Sequence, residues 1–492
     1  MTTVEQAPGQ GALPPPLQAS KNRDWLHTIV GPALFAAVVL LAGGVMDYPI
    51  RCSIGLLLWM AWWWVTRPVD LAVTGFLPLV VAAIFNFVPV ATVLRAYAQD
   101  LIILLVGANL LTTTWARWGI DRRIALVSLI TMGTDTRRQI MTWFVLALVL
   151  SAFLPNTIVA ASMCPIVIAM LRFIGIEDLW NSRLGTAMLI AIAWGTSVGG
   201  FATPLGGAPN LLTIQFIQDS LTHREFLFVT WVTRFLPLTL ALVVVSMLYM
   251  RFAFRPEMER LEGSRDFFRE RIRALGPMSV QERWGLSLFA IATALAFTRP
   301  LYAALLPSLA PAYVFLACGL LCFVVRRGGE PLIRWDYAQS NMMWGLFYLF
   351  AGGTALGEIL SETGAAAFVA QKLAPYASGG GFVAAALFSV LTIVVTQITS
   401  NTAAIAIVVP ITISTFQGLG LNPIPFVYIV TALGNCGFAL PSSAGGPAVA
   451  AGYGINLQTM LWKGLLLSLL ALVTILGVGY LLAAYWEGFG RA

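Results

Sequence analysis

The sequence predicts an all-α polytopic membrane protein, and three of its properties support this prediction. Hydrophobic residues make up 59% of the 492 residues and charged residues only 10%, whereas a soluble domain carries about 25% charged residues. Many apolar runs approach the ~20 residues that a helix needs to cross a bilayer. Some of these runs are split by Gly, Pro and polar residues, as in the discontinuous helices that line protein-covered cavities in membranes.

The composition also argues against several functions. The net charge of +7 is typical of basic cytoplasmic loops, so we expect the lipid bilayer rather than nucleic acid as a partner. The five cysteines show neither metal spacing nor a disulfide framework, and His27 and His223 are the only histidines, which argues against a histidine metal site. Residues 1–24 are polar and Pro-rich, without a cleavable signal peptide, and we predict a disordered cytoplasmic tail over residues 1–27.

Residues 28–138 are predicted to form the first group of membrane helices, a scaffold. The fourth span contains Gly107-Ala108-Asn109, which predicts an interruption of that helix. After this span, five arginines flank a short amphipathic piece at 124–132, and such a basic region is expected on the cytoplasmic side. The predicted spans of this group are 29–44, 54–65, 71–87 and 101–115.

Residues 139–220 predict a re-entrant helical hairpin followed by a broken helix. The apolar run 143–170 is too long for one comfortable span. Pro155 removes a backbone donor and disfavours helix at the preceding residue, so we place Pro155-Asn156-Thr157 at the hairpin tip. The next apolar run, 188–214, contains Gly or Pro at seven positions, which predicts a discontinuous helix.

The middle of the chain is predicted to begin with a membrane helix at 221–250. The following loop, 251–284, carries eight arginines, so we expect it to be cytoplasmic, with a helix lying at the membrane surface. Residues 285–375 are predicted to contain further scaffold helices, and Gly352-Gly353 predicts an interruption of the last one. These spans are placed near 286–305, 313–325 and 343–359.

The second half repeats the order of the first. Residues 376–460 predict a hairpin (382–416) with Ser400-Asn401-Thr402 at its tip and then a broken helix (427–453), and residues 461–492 contain a last membrane helix. We therefore predict about 11 transmembrane helices plus two re-entrant hairpins in an inverted repeat. The amino terminus is expected in the cytoplasm, with the hairpins entering from opposite sides. Such repeats are typical of secondary transporters, whose sites lie at the repeat interface.

Similar polar residues mark both predicted tips. Ser151 stands four residues before Pro155, and Thr396 stands four residues before Ser400. In both places the next two residues are Asn and Thr. Hydroxyl and amide groups are costly in hydrocarbon unless they find partners, so we expect these tips to be sites or to cap the half-helices that follow them.

These motifs resemble the divalent anion/sodium symporter family of dicarboxylate, citrate and sulfate carriers, within the wider ion transporter superfamily. The resemblance spans roughly residues 50–485 and depends mainly on Ser400-Asn401-Thr402, since the family carries a Ser-Asn-Thr signature at both tips. The segment 199–210 is similar to the family's first broken helix, and 118–123 is similar to the residues after its fourth span.

The resemblance implies a secondary active transporter of small anions, with sodium-coupled symport of di- or tricarboxylates by an elevator motion. It also implies a homodimer in the cell inner (plasma) membrane, with Na⁺ as the coupling ion. Hydroxyl, amide and carbonyl oxygens suit sodium, and half-helix amino termini attract anions. The implied substrate-binding residues are Pro155, Asn156, Thr157, Ser400, Asn401, Thr402, Ser443 and Ala444. The implied sodium-binding residues are Ser151, Asn156, Gly199, Thr396, Asn401 and Ser443.

The chain departs from the family pattern at three places. Pro155 replaces the usual Ser, the segment 444–447 replaces a Thr-Pro-Pro-Asn-like run, and the region of Asn109 lacks the usual double glycine. These departures leave open a sodium-independent anion exchanger, and a carrier of sulfate, a sulfonate or another oxyanion. A membrane-embedded enzyme is a remote alternative, because the tips lack a Ser/His/Asp set, paired carboxylates and a histidine metal set.

Overall fold

The structure, a computed structural model, describes residues 21–129, 133–176, 178–327, 329–377 and 381–491. It confirms the all-α prediction, because helices account for most of the described chain. The described strands, Arg326–Arg327 and Glu330–Pro331, pair antiparallel with Arg326 opposite Pro331. The predicted tail falls largely outside the described residues.

The first group of helices precedes the first hairpin. The predicted span at 71–87 splits at Gly75-Phe76 into two short helices, and a 3₁₀ turn, Ala96–Ala98, precedes the fourth span. The helices of this group are α1 (Lys21–Leu41), α2 (Tyr48–Thr66), α3 (Leu71–Thr74), α4 (Leu77–Phe85), α5 (Val90–Arg95), α6 (Asp100–Trp118) and α7 (Ile120–Leu129).

Hairpin 1 consists of α8 (Thr136–Ser151) and α9 (Asn156–Phe173), and its turn lies at the predicted tip. The carboxylate of Asp135 accepts the backbone N–H of Arg138 at 2.8 Å and so starts α8 slightly before the predicted boundary. Broken helix 1 consists of α10 (Arg183–Gly200), a 3₁₀ turn (Pro204–Gly206) and α11 (Ala208–Ile217), which continues as a π-helical turn (Gln218–Thr222).

The middle group begins with a long helix, Phe228–Ala253, which corresponds to the predicted span 221–250 but starts and ends later. The Arg-rich segment 251–284 contains a helix, Ser264–Leu275, between two longer helices; its predicted location at the membrane surface stays a prediction. The helices of this group are α12 (Phe228–Ala253), α13 (Ser264–Leu275), α14 (Val280–Phe297), α15 (Arg299–Tyr302), α16 (Pro311–Val324), α17 (Trp335–Asn341), α18 (Trp344–Glu362) and α19 (Ala365–Ala377).

The second half has the same order of elements as the first. Hairpin 2 consists of α20 (Gly381–Ile398) and α21 (Asn401–Gly418), and broken helix 2 consists of α22 (Ile424–Gly434) and α23 (Gly445–Gly452). The last long helix, α24 (Leu457–Tyr485), begins before the predicted residue 461 because Asn456 caps it, accepting from the backbone N–H of Thr459 at 2.9 Å. A short 3₁₀ turn, Glu487–Gly490, follows it.

Two predicted interruptions are wrong, because α6 and α18 run continuously through their glycines. The glycines permit close packing instead. A Cβ on Gly107 would lie 2.4 Å from the backbone nitrogen of Leu316 in α16, and a Cβ on Gly352 would lie 2.4 Å from Cα of Gly75. Small residues let membrane helices approach each other at the backbone, so these glycines serve helix contacts rather than helix breaks.

The structure places the start of α1 within the predicted tail, and it does not confirm the predicted number of spans. Residues 21–27 belong to α1, since no Pro or Gly interrupts the chain between Lys21 and Gly31. By length and composition, six helices of the described residues could cross a membrane, or up to seven if α17 and α18 form one bent span. The predicted number of about 11 is not confirmed, because several predicted spans form helices shorter than 18 residues.

The two repeats interlock through their half-helices. Helix α11 of broken helix 1 packs on α21 of hairpin 2, and α23 of broken helix 2 packs on α9 of hairpin 1. The hydroxyls of Thr213 and Thr431 join the repeats at 2.8 Å. Each hairpin therefore depends on the opposite repeat for its packing, and the two tips are positioned by one shared core.

The close contact at Gly107 predicts a stability difference between two glycine substitutions. Gly107→Ala should destabilise the protein by about 1–3 kcal/mol, because the new methyl group overlaps the backbone of α16. Gly477→Ala in α24 is the matched control, because a Cβ there meets nothing within 4 Å and alanine favours helix. Thermal unfolding of the purified protein in detergent measures both; equal unfolding temperatures for the two variants would contradict the packing argument.

Candidate functional site

The polar tips of both hairpins lie against the breaks of both broken helices. At these breaks, backbone carbonyls lose their helical partners, and hydroxyl and amide groups from the tips lie beside them. Asn401 and Ser443 are 6% and 0% exposed, so these polar groups are enclosed by protein. The paired tips and breaks are therefore the candidate site.

At the tip of hairpin 1, the side-chain amide of Asn156 lies among oxygen atoms. Its Oδ1 is 2.5 Å from the hydroxyl of Ser151, which donates to it. The amide atom of Asn156 that lies beside Ser151 is also 3.2 Å from the carbonyl oxygens of Thr196 in α10 and Gly206 in the break. The predicted ligand Gly199 lies in the same turn of α10, but its carbonyl accepts the backbone N–H of Ala202 at 3.0 Å.

At the tip of hairpin 2, Asn401 has a similar environment. The hydroxyl of Thr396 donates to the carbonyl of Gly434 at 2.6 Å and lies 2.8 Å from the side-chain amide of Asn401. The amide atom of Asn401 that lies beside Thr396 is also 3.1 Å from the Gly434 carbonyl oxygen and 2.9 Å from the Ser443 carbonyl oxygen. The backbone N–H of Asn401 also donates to the Ser443 carbonyl, at 3.0 Å, so hairpin 2 is joined directly to break 2.

Both clusters consist of hydroxyl, amide and carbonyl oxygens, the hard ligands that sodium prefers. Carbonyl oxygens cannot donate, so an amide oxygen beside them needs either a cation between them or rotation of the amide so that its nitrogen donates. Within the described residues, no group of three or more His, Cys, Asp and Glu side chains could hold a metal ion. With the amides rotated, both clusters are hydrogen-bonded within the protein, and their hydroxyl and carbonyl oxygens are of the type that suits a hard cation.

The alternative that the two asparagines only cap the half-helices is wrong. The residue at the N-cap of α9 is Pro155, and the residue at the N-cap of α21 is Ser400. The hydroxyl of Ser400 accepts the backbone N–H of Ala403 at 3.2 Å, whereas Pro155 makes no side-chain cap bond. The asparagines are the first helical residues, and their side chains face the broken helices instead.

The remaining predicted substrate residues lie around the two tips. A Cβ on Gly445 would lie 1.8 Å from the Thr157 hydroxyl, so the first tip contacts the start of α23. Ala444 is the N-cap of α23. Thr402 is buried in the first turn of α21, whereas Thr157 is exposed. The structure thus brings the predicted residues together at the repeat interface, and their contacts with substrate stay a prediction.

Two asparagines that the sequence analysis did not select support the breaks. The amide of Asn210 donates to the carbonyls of Gly200 at 2.6 Å and Thr203 at 2.8 Å. The amide of Asn435 donates to Oδ1 of Asn210 at 3.3 Å. These bonds join break 1 to break 2. Asn210 was visible within the segment 199–210, but its role was not, since its partners depend on the packing of the two repeats.

Gln397 also supports the second break and was not selected from the sequence. Its side chain is 8% exposed. Its amide nitrogen donates to the carbonyl of Cys436 at 2.9 Å and to the hydroxyl of Ser468 at 3.0 Å, and its oxygen accepts the backbone N–H of Ala439 at 3.0 Å. Gln397 therefore holds hairpin 2, break 2 and α24 together.

The carboxyl end of α2 contacts the second tip and the second break. The hydroxyl of Thr399 donates to the carbonyl of Trp64 at 2.9 Å. The guanidinium of Arg67 donates to the carbonyl of Ser442 at 2.5 Å. Arg67 lies in the left-handed region, with φ of 52°, and thus brings a positive charge beside Ser443. The signal in the sequence was an arginine between the Trp-rich span and Pro68.

Polar-tipped hairpins and broken helices in two interlocked repeats are typical of membrane transporters. The family and the relatives of this chain are transporters and not enzymes. The chain matches the family described as the sodium:sulfate symporter transmembrane region over residues 26–490. It therefore belongs to this family, which confirms the resemblance to the divalent anion/sodium symporters.

Relatives with established names agree with this assignment. The chain is 27% identical to the sodium-dependent dicarboxylate transporter SdcS of Staphylococcus saprophyticus, over 92% of this chain and 90% of that protein. It is 26% identical to the transporter of the same name from Staphylococcus aureus, with the same coverage.

Two solved transporter structures have a similar fold. The YdaH transporter of Alcanivorax borkumensis is 13% identical, with a TM-score of 0.54 over 95% of this chain and 98% of that chain. MtrF of Neisseria gonorrhoeae is 11% identical, with a TM-score of 0.53 over 90% of this chain and 96% of that chain. At these identities the likeness supports the fold alone.

The bonds of Gln397 predict that this residue is required for stability. Gln397→Leu should destabilise the protein by about 1–3 kcal/mol or more, because it leaves buried groups at break 2 without partners. Gln417→Leu, at the exposed end of the neighbouring helix, is the matched control. Thermal unfolding in detergent compares the variants, and equal unfolding temperatures for both would show that Gln397 does not hold the break.

Proposed function

We propose that the protein is a sodium-coupled symporter of di- or tricarboxylates. The observation that carries this proposal is the pair of oxygen clusters around Asn156 and Asn401. Each cluster combines a hydroxyl, an amide and two carbonyl oxygens from a hairpin and a broken helix. Two similar clusters at one repeat interface would hold two sodium ions near each other.

The proposed ion sites differ in enclosure. Asn401, Thr396 and Ser443 are all buried, whereas Asn156 is half-buried and Thr157 is exposed. The second site would therefore bind its ion with less access to solvent than the first. The first site would exchange its ion more readily, since fewer protein groups separate it from water.

The anion would lie between the two tips. The amino termini of α9 and α21 start there, and helix amino termini stabilise negative charge. Asn156 and Asn401 could orient the carboxylate groups, and Thr157 and Thr402 supply hydroxyl donors. Arg67, beside the Ser442 carbonyl, supplies positive charge from outside the hairpins. Bound sodium would offset the remaining substrate charge.

The carboxylate class is supported by the named relatives, both sodium-dependent dicarboxylate transporters. The site also suits a doubly charged anion, because it presents two similar tips that could each face one carboxylate. Sulfate, a sulfonate or another oxyanion is the alternative substrate class, and the description of the family supports it.

An elevator motion in a homodimer is part of the proposal. The hairpins and broken helices interlock across the repeats, so they would move as one body. The bonds from α2 to Thr399 and Ser442 would break during that movement, because α2 belongs to the remaining scaffold. The protein would lie in the plasma membrane with its amino terminus in the cytoplasm. The Arg-rich segment that contains α13 supports this orientation, because basic segments are typical of the cytoplasmic side.

A sodium-independent anion exchanger is the second candidate. The observation that favours it is the asymmetry of the tips, since Pro155 lacks the capping hydroxyl that Ser400 supplies. Without this cap the amino terminus of α9, and with it the first tip, would be held less firmly, so the first ion site would be weaker than the second. The two functions differ in whether anion movement needs sodium.

Replacing sodium by choline separates the two candidates. Purified protein is placed in proteoliposomes loaded with unlabelled succinate, and uptake of labelled succinate is measured. Uptake in choline should be at least about tenfold slower than in sodium, because empty ion sites leave the substrate charge uncompensated. Citrate and sulfate, tested in the same vesicles, define the substrate class. Equal counterflow in choline would contradict symport and support exchange.

Asn401→Ala should abolish sodium-dependent uptake, because it removes the amide that joins Thr396 to the Gly434 and Ser443 carbonyls. The protein should remain folded, because the hydroxyl of Thr396 and the backbone N–H of residue 401 still donate to these carbonyls. Asn341→Ala, on the exposed helix α17, is the matched control. Uptake and gel filtration measure both variants, and uptake of the Asn401 variant at the control rate would refute the second site.

A further inference from the structure

A separate cavity of about 770 Å³ lies away from the hairpin tips. It is open on one side and lined by α6, α7, α9, α13 and the start of α14, so both the first hairpin and the surrounding helices contribute to it. Its size lies within the range of small-molecule sites. Charged residues dominate one part of its lining: Arg117, Arg122, Arg123, Arg271, Asp121 and Glu282.

One arginine of this lining is occupied by the protein itself. Nε of Arg123 donates to Glu282 at 2.5 Å, and its other nitrogens donate to the carbonyls of Gly276 at 2.9 Å and Leu275 at 3.2 Å. Glu282 also accepts the backbone N–H of Ser279 at 2.6 Å. This pair fixes α7 against the start of α14 and adds little net charge to the cavity.

Arg117 has a donor to spare. Its guanidinium lies over the rings of Trp118 at 5.5 Å and Tyr337 at 5.3 Å. Its Nη1 is buried and has no hydrogen-bond partner among the described residues. A buried guanidinium nitrogen without a partner costs free energy, and the aromatic rings restrict its movement. Arg117 is thus fixed in place with unused hydrogen-bonding capacity.

Arg271 and Arg122 add positive charge to the same lining. Arg271 lies 5.2 Å over the ring of Phe267, and both arginines are exposed. Asp121 is the remaining carboxyl, only 5% exposed; burial raises its pKa, while the Arg122 backbone N–H and the Ser162 hydroxyl act to lower it. Three guanidinium groups, those of Arg117, Arg122 and Arg271, therefore line the cavity together with one carboxyl that already has partners within the protein.

We propose that this cavity is a second anion-binding site, for a phosphate group. Guanidinium groups bind phosphate through paired N–H donors, and three of them exceed what a single carboxylate needs. The phosphate could belong to an anionic lipid headgroup or to a soluble phosphate. The site is independent of the hairpin tips, because it contains none of the residues around Asn156 and Asn401.

A bound phosphate would stabilise one position of hairpin 1 relative to α6 and α7. Ser162 and Pro165 of α9 line the cavity together with Arg117 of α6 and Arg122 of α7. An anion held there joins α9 to helices outside the hairpins. Its binding would therefore favour the arrangement of the hairpin seen in this structure over one in which α9 has moved away.

The test uses the purified full-length protein and a double variant, Arg122→Gln with Arg271→Gln. Neither side chain makes a hydrogen bond or ion pair that the structure describes, so the variant should fold. Arg269→Gln with Arg273→Gln is the matched control, because it also removes two positive charges, both from α13, without changing the cavity lining. A third variant, Arg122→Lys with Arg271→Lys, keeps the charge.

Two measurements distinguish the source of the phosphate. In the first, inorganic phosphate is titrated in choline buffer and the unfolding temperature is recorded. In the second, native mass spectrometry counts phosphatidylglycerol retained on the protein, with phosphatidylcholine as the comparison lipid. The Gln variant should weaken phosphate binding or phosphatidylglycerol retention by roughly tenfold relative to the control, because two guanidinium groups are lost, and the Lys variant should retain part of it.

An effect in the first measurement identifies a soluble phosphate, and an effect in the second identifies a lipid. Identical behaviour of the Gln variant and the control in both measurements would overturn the proposal. Asn401→Ala should retain binding in either measurement, even though its uptake is lost. Loss of binding in Asn401→Ala, with no change in the Gln variant, would place the phosphate at the tips and also overturn the proposal.

Discussion

Broken helices expose backbone carbonyls at a depth where water is scarce, and every such carbonyl needs a hydrogen-bond partner. The rest of the structure depends on this constraint. Asn156 and Asn401 lie beside these carbonyls, and Asn210, Asn435 and Gln397 donate to other backbone carbonyls nearby. The breaks are stable because side-chain amides from neighbouring elements are aimed at them. The same freed oxygens are the groups that a sodium ion would use.

This constraint explains why the two repeats interlock. Asn210 reaches carbonyls of its own repeat and the amide of Asn435 in the other, and α11 and α23 each pack on the opposite hairpin. Close contacts at Gly445 and Gly446 bring α23 against Thr157 and Thr196. A change in one half of the site therefore reaches the other half through a few rigid contacts.

The two halves are similar but not equal. Ser400 caps its helix and Asn401 is buried, whereas Pro155 makes no cap bond and Asn156 is half-buried. Positive charge is also placed unevenly. Arg67 contacts break 2, while the arginine-lined cavity lies along α9 of the first hairpin. The first half is thus the more open part of the site, and the second half is the more enclosed part.

The sequence by itself determined the helical membrane fold, the order of hairpins and broken helices, and the tip residues, because proline, glycine and polar residues act locally on an apolar chain. Tertiary structure decided that Gly107 and Gly352 permit helix contacts instead of breaks, and that Arg67, Gln397 and Asn435 contact the candidate site. Those outcomes depend on which backbone lies a few ångströms away, and residues distant in sequence supply it.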